Sequence, residues 1–284
     1  MNFSKNSLPA VATLFFTSLL TPAAHAAVNP DLIMEQTVNY KSKDKKPEVT
    51  LEGFVARPST KDLIKRPAVI VVHEWMGIDD YTKDRVRSLA SMGYVAFAAD
   101  IYGKESRPKN AEEAGKLAGE YRNGDRTLLR ARLEAALKEL KKRRDVDPNK
   151  IAVIGYCFGG TTALEAARAH FPVLGVVSFH GGLNTPKPED SKNIQAKVLV
   201  LHGADDPLVP NTEIKTFQDE MKKAKADLQF VSYSDAVHSF SNPANTFKPG
   251  QPFGYNEPAA RRSWQAMETF LTEIFEKSPS KKQK

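Results

Sequence analysis

The only cysteine in the chain, Cys157, stands between glycines in Gly155-Tyr156-Cys157-Phe158-Gly159-Gly160. The preceding run Ile151-Ala152-Val153-Ile154 predicts a strand and the following Gly159 to Ala169 a helix, so G-x-C-x-G falls at a strand-to-helix junction. That is the spacing of a nucleophile elbow with cysteine in place of serine. The nucleophile of such an elbow sits on a strained turn, and glycines two positions to either side let neighbouring backbone approach it. The turn also sets the sulfur at a helix N-terminus, where free N–H groups and the macrodipole favour a thiolate.

A thiol nucleophile needs a base, and the elbow arrangement orders the three groups as nucleophile, acid, histidine. His25, His73, His170, His180 and His202 all precede the candidate acids, and only His238 follows them. Two aspartates stand next to each other in His202-Gly203-Ala204-Asp205-Asp206-Pro207-Leu208-Val209-Pro210. The pattern G-x-x-D-x-x-V-P selects Asp206 and leaves Asp205 as a turn or capping residue. Physical chemistry alone does not separate the pair at this level.

The elements that must position these groups alternate between strand and helix. Gln36 to Tyr40 and Val49 to Val55 predict a hairpin with the lysine-rich tip Lys41 to Lys46. Pro67 to Val72 is a continuous β-branched and apolar run, as in a strand buried on both faces. Strands are also predicted over Tyr94 to Ala99, Val173 to Phe179, Val198 to Leu201 and Leu228 to Tyr233. Helices are predicted over Arg85 to Ala90, Ala111 to Tyr121, Leu128 to Arg143 (closed by Asp147-Pro148), Thr212 to Ala224 and Ala259 to Phe275. The alternation implies an α/β fold with a single mostly parallel sheet and helices on both faces, in one domain, 27–276. Ligands of such sheets bind at the carboxyl ends of the strands. His73-Glu74-Trp75, the elbow, the aspartate loop and Ala236-Val237-His238-Ser239 all fall there.

Taken together, His73-Glu74-Trp75, the Gly155 to Gly160 elbow, Gly203 to Pro210 and Val237-His238-Ser239-Phe240 resemble the dienelactone hydrolase family of α/β-hydrolases, over roughly Val49 to Phe275. The resemblance implies a Cys-His-Asp triad carried by Cys157, His238 and Asp206. It also implies that Glu74 holds the thiol in the resting enzyme, a carboxylate that disfavours thiolate until it moves. His73 is expected to support the site rather than react. The implied reaction is thiolate attack on an ester or lactone carbonyl, with the backbone N–H groups of Phe158 and Trp75 as the oxyanion hole. His238 would then activate water against the thioester. In founding members of the family, arginines bind the substrate carboxylate, one of them four residues after the catalytic histidine. Asn242 stands at that position, and Arg107, Arg122 and Arg126 are the candidates to replace it.

Composition bounds these readings. With 284 residues, 41% hydrophobic and 26% charged, the chain is long and apolar enough for a large core. The formal charge is +7, but setting aside Lys5 and the four lysines of the basic tail 277–284 leaves +2, which argues against a nucleic-acid partner. The partner expected is a small-molecule ester or lactone. Lys5, the apolar run Leu8 to Leu20 and the small-residue site Ala24-His25-Ala26 predict an export signal over 1–26 and a periplasmic or secreted mature chain from Ala27. No later run is long enough to span a membrane. No metal-ligand spacing and no cofactor motif is found, and oligomeric state is not legible. Two other classes fit parts of the pattern. A thiol redox protein would use Cys157 through sulfenic acid but lacks a resolving cysteine, and a silent hydrolase-fold binding protein would need none of the triad.

Overall fold

A computed structural model describes residues 32–44, 48–60 and 64–276. The export signal predicted over 1–26 and the basic tail 277–284 lie outside these residues. The described chain runs β1 (Ile33–Ser42), β2 (Val49–Pro58), β3 (Arg66–Val72), α1 (Asp80–Ser91), β4 (Val95–Ala99), α2 (Ala111–Asn123), α3 (Thr127–Lys141), β5 (Val146–Tyr156), α4 (Phe158–Arg168), β6 (Gly175–Phe179), β7 (Lys197–Gly203), α5 (Asn211–Ala224), β8 (Leu228–Tyr233) and α6 (Glu257–Glu276).

One eight-stranded sheet is formed in the order β1-β2-β4-β3-β5-β6-β7-β8. The β1–β2 and β2–β4 pairs are antiparallel and every other pair is parallel. The central strands carry unbroken apolar runs because both faces are covered. Along β3, Ala68, Ile70 and Val72 pack into a core shared with α2 to α5, while Val69 and Val71 face α1 and α6. This period-two division is what a parallel strand sandwiched between helix layers requires.

The strand order reverses between β3 and β5, since β3 leads to β4 on one side and has β5 on the other. A crevice opens at such a switch point beyond the carboxyl ends of the strands. In register, Val72 of β3 lies opposite Gly155 of β5, and Tyr156 lies opposite Phe179 of β6. The residues that follow, His73-Glu74-Trp75, Cys157 and His180, therefore emerge side by side.

Two boundaries differ from expectation. The helix predicted from Arg85 begins at Asp80, because the Asp79 side chain accepts from the Thr82 amide at 2.8 Å and caps a turn with little apolar periodicity. The helix predicted to run to Arg143 ends at Lys141, and Asp147-Pro148 lies within β5 rather than closing the helix. Val146 already pairs with Arg66 there, and the ladder slips between Arg66 and Ala68, which accommodates the proline.

Candidate active site

Cys157 has φ 53° and ψ −114°, a backbone conformation that L-residues rarely adopt. Its flanking glycines explain how the chain folds there. A Cβ on Gly155 would sit 1.9 Å from the Gly159 carbonyl oxygen, and one on Gly159 would sit 2.2 Å from the Val72 carbonyl oxygen of β3. Only the second collision is with an adjacent strand; the first is with the turn's own helix. The Cys157 amide donates to Phe179 O at 3.0 Å and to His180 Nδ1 at 3.2 Å. These two bonds fix the turn against the end of β6. His180 is buried, its pKa is driven well down by desolvation and by the neighbouring His238, and its Nε2 lies 2.7 Å from Ser241 Oγ.

His238 comes from the loop after β8. That loop is tied down on both sides of the histidine, by His238 N–H to Pro252 O at 3.2 Å and Gly254 N–H to His238 O at 2.9 Å. His238 Nδ1 lies 2.8 Å from Asp206 Oδ2. Asp206 is buried, and Asp205 beside it is exposed, so the geometry separates the pair that the sequence left open. The Cys157 side chain is the other polar neighbour that acts on the imidazole. Burial pulls the His238 pKa down, but its electrostatic interaction with Cys157 and its hydrogen bond with Asp206 outweigh it and raise the pKa to about 10.

Glu74 differs from the expectation taken from the family resemblance. Its Oε1 accepts from Ser239 Oγ at 2.8 Å and its Oε2 from Asn242 Nδ2 at 2.6 Å. The carboxylate is therefore engaged by the histidine loop rather than by the thiol. Burial raises its pKa, against the lowering effect of these two donors. Asn242 does not line the cavity beside Cys157, and its amide is committed to Glu74.

Around Cys157 lies a cavity of about 330 Å³ whose lining includes Glu74, Trp75, Phe158, His238, Leu208, Val209 and Phe253. Its walls are mainly apolar. The backbone N–H groups of Trp75 and Phe158 have no backbone acceptor among the described residues. Trp75 is held through its carbonyl, which accepts from Tyr102 Oη at 3.0 Å. His73 is fully buried and lies 2.6 Å through Nδ1 from Glu74 O, while its Nε2 accepts from the Ile101 amide at 3.2 Å. Nδ1 thus carries the proton, and His73 braces the loop without reaching the cavity. Of the three arginines, Arg122 alone lines the cavity. Arg107 bonds Glu52, and Arg126 is buried against Glu165 and Asn184.

Sequence reasoning missed His180, Ser239 and Tyr102 as supports of the site. His180 carried a usable signal, since it directly follows a predicted strand and so belongs at the sheet's carboxyl edge. Ser239 and Tyr102 had none. No group of three or more His, Cys, Asp or Glu side chains suited to a metal ion occurs among the described residues, and none of the described helices is long and apolar enough to cross a membrane.

The parallel sheet with a strand-turn-helix elbow over a switch-point crevice defines an α/β-hydrolase. The dienelactone hydrolase family model matches residues 51–275, and the chain belongs to that family. A Salmonella typhimurium protein named "Putative carboxymethylenebutenolidase" is 31% identical over 227 residues, covering 76% of this chain and 80% of that one. Among solved structures, m3DLH is 35% identical with a TM-score of 0.79, covering 86% of this chain and 99% of its own. P91, a dienelactone hydrolase-like promiscuous phosphotriesterase from metagenomic libraries, is 36% identical with a TM-score of 0.78 over the same shares.

Proposed function

We propose that this hydrolase is an exported, cysteine-dependent enzyme that cleaves carboxylic esters or lactones through a Cys157-His238-Asp206 triad. The observation that carries this reading is the buried Asp206–His238 hydrogen bond, with His238 and Cys157 lining one mainly apolar cavity. The Cys157 thiolate attacks the carbonyl carbon, and the oxyanion that forms is received by the Phe158 and Trp75 amides. His238 gives its proton to the departing alkoxide, leaving a thioester on Cys157. The neutral imidazole then takes a proton from water as that water attacks the thioester. The tetrahedral adduct expels the thiolate, the carboxylic acid leaves and loses its proton to solvent, and the thiolate–imidazolium pair is restored.

The apolar walls favour uncharged acyl groups, and Arg122 at the cavity is the group available to an anionic one. Asn242, turned to Glu74, takes no part in that choice. A panel of chromogenic short-chain esters, an authentic dienelactone and a phosphotriester, the last because of the similarity to P91, would rank the substrates. The test of the mechanism is Cys157→Ala with mass spectrometry of the wild type under turnover. Loss of turnover with an intact fold, and an acyl adduct on the Cys157 peptide, are expected. Wild-type rates in Cys157→Ala would overturn the reading. A redox protein would need the thiol but not His238, and a binding protein would need neither, so His238→Ala separates the three. Export is tested separately by the N-terminal sequence of the mature chain, expected to begin at Ala27.

A further inference from the structure

A second cavity, also of about 330 Å³, lies on the other side of the elbow, between α1, α6 and the loop that follows His238. Its position follows from strand alternation. Cys157 packs toward the core of α2 to α5, while the preceding Tyr156 points into the core of α1 and α6. The cavity is lined by Tyr81, Arg85, Tyr156, Tyr255, Arg261 and Trp264, among others.

Its polar groups are not satisfied internally. The Arg85 guanidinium carbon lies 5.2 Å from the Tyr81 ring centroid and 5.0 Å from that of Trp264. With aromatic rings against the guanidinium, its in-plane N–H edge is what remains for a partner. Yet Arg85 Nε is buried without a hydrogen-bond partner, and no carboxylate pairs with Arg85 among the described residues. Tyr156, 1% exposed, likewise has a phenolic oxygen with no partner among the described residues. Buried donors left unpaired are costly, and their clustering at one cavity marks a place for an acceptor. Arg261 is also present but is paired with Glu257 at 3.4 Å. Glu257 also lines the cavity, so Arg85, Arg261 and Glu257 together carry one positive charge, which suits a monoanion and disfavours a dianion.

We propose that this cavity is a second small-molecule site that takes a single-ring aromatic monocarboxylate. The carboxylate lies on the Arg85 edge and the Tyr156 hydroxyl, and the ring lies among the tyrosines and Trp264. The volume is at the lower end of the roughly 300–1,000 Å³ range of ligand pockets, which fits one ring rather than a larger molecule. Planar guanidinium and planar carboxylate pair through two parallel hydrogen bonds, which an amide cannot reproduce. The site is independent of the ester reading, because its lining includes neither Cys157 nor Asp206 nor His238.

The test uses the full chain alkylated at its single cysteine, so that the first cavity is blocked. Isothermal titration with benzoate and with benzamide is then compared in wild type, Arg85→Met and Tyr156→Phe. Saturable one-to-one benzoate binding is expected, at least tenfold tighter than benzamide, with Arg85→Met erasing that preference and Tyr156→Phe weakening benzoate severalfold. Absence of saturable binding, equal affinity for the two probes, or a preference unchanged in both variants overturns the proposal. So does benzoate binding that occurs only before alkylation. If circular dichroism shows Arg85→Met unfolded, the probe comparison in wild type and Tyr156→Phe decides.

Discussion

Asn242 donates to Glu74 at 2.6 Å, so the residue four positions after His238 reaches across to the loop after β3. The contact joins two strand ends far apart in sequence and commits both side chains. Asn242→Asp would set two carboxylates in the same place, of which one must stay protonated. Its destabilisation should be about 3 kcal/mol at pH 8, the scale of breaking a buried polar pair. A carboxyl pKa raised in the folded state carries a penalty that grows as pH rises above the ordinary carboxylate range and vanishes below it. Urea unfolding at pH 5 and pH 8 should therefore show the variant recovering much of the loss at the lower pH.

The raised pKa of His238 gives the same direction of pH dependence, as a stabilising contribution lost rather than a penalty gained. A histidine protonated more readily in the folded state contributes stability that is complete below its unfolded pKa of about 6.5 and is lost as pH rises through the folded value. That value is about 10 here. The stability difference between wild type and His238→Gln should narrow steadily between those limits. Nitrogen NMR of the imidazole should show both ring nitrogens protonated at pH 8.

Asp206 and Asp205 provide an internal comparison. Asp206→Asn removes the acceptor that orients His238 Nδ1, and should lower kcat by about 10²–10⁴-fold. Asp205→Asn, on an exposed side chain, should stay within about twofold, since surface changes have small effects. Equal losses would remove Asp206 from its assigned place.

The glycine contacts predict a contrast in stability. Gly159→Ala places a methyl group 2.2 Å from the Val72 carbonyl, and should cost about 3 kcal/mol or more because neither backbone can yield. Gly119→Ala in α2 meets its nearest atom at 3.6 Å, and should stabilise by about 0.5–1 kcal/mol through helix propensity. Thermal unfolding of the two variants checks both signs.

Arg122 lines the reactive cavity but is itself exposed. Its interaction with an anionic acyl group is therefore screened and worth about 1 kcal/mol. Arg122→Met should raise KM for an anionic ester about fivefold and leave a neutral ester unchanged, which steady-state kinetics on a matched pair would resolve.

Much of this architecture was legible because the features concerned are local. The apolar run before His73 and the glycines around Cys157 have immediate steric meaning, and the order Cys157, Asp206, His238 follows the chain. What was not legible depends on where loops meet. Nothing near Glu74 in sequence announces Ser239 or Asn242, and the pairing exists only because β3 and the loop after β8 end at the same sheet edge. Asp147-Pro148 misled for a related reason: a proline reads as a stop, yet the ladder slip beside it lets β5 begin earlier.

The positive φ at Cys157 has a consequence for substitution at that position. The turn is secured by backbone bonds to Phe179 and His180 and by glycine neighbours, none of which senses the atom beyond the Cβ. Serine differs by one atom and adds no branch at Cβ, so the frame accepts oxygen or sulfur alike, whereas valine or threonine would be resisted by the conformation itself. The backbone thus fixes where the side chain at 157 stands and leaves open whether sulfur or oxygen is carried there.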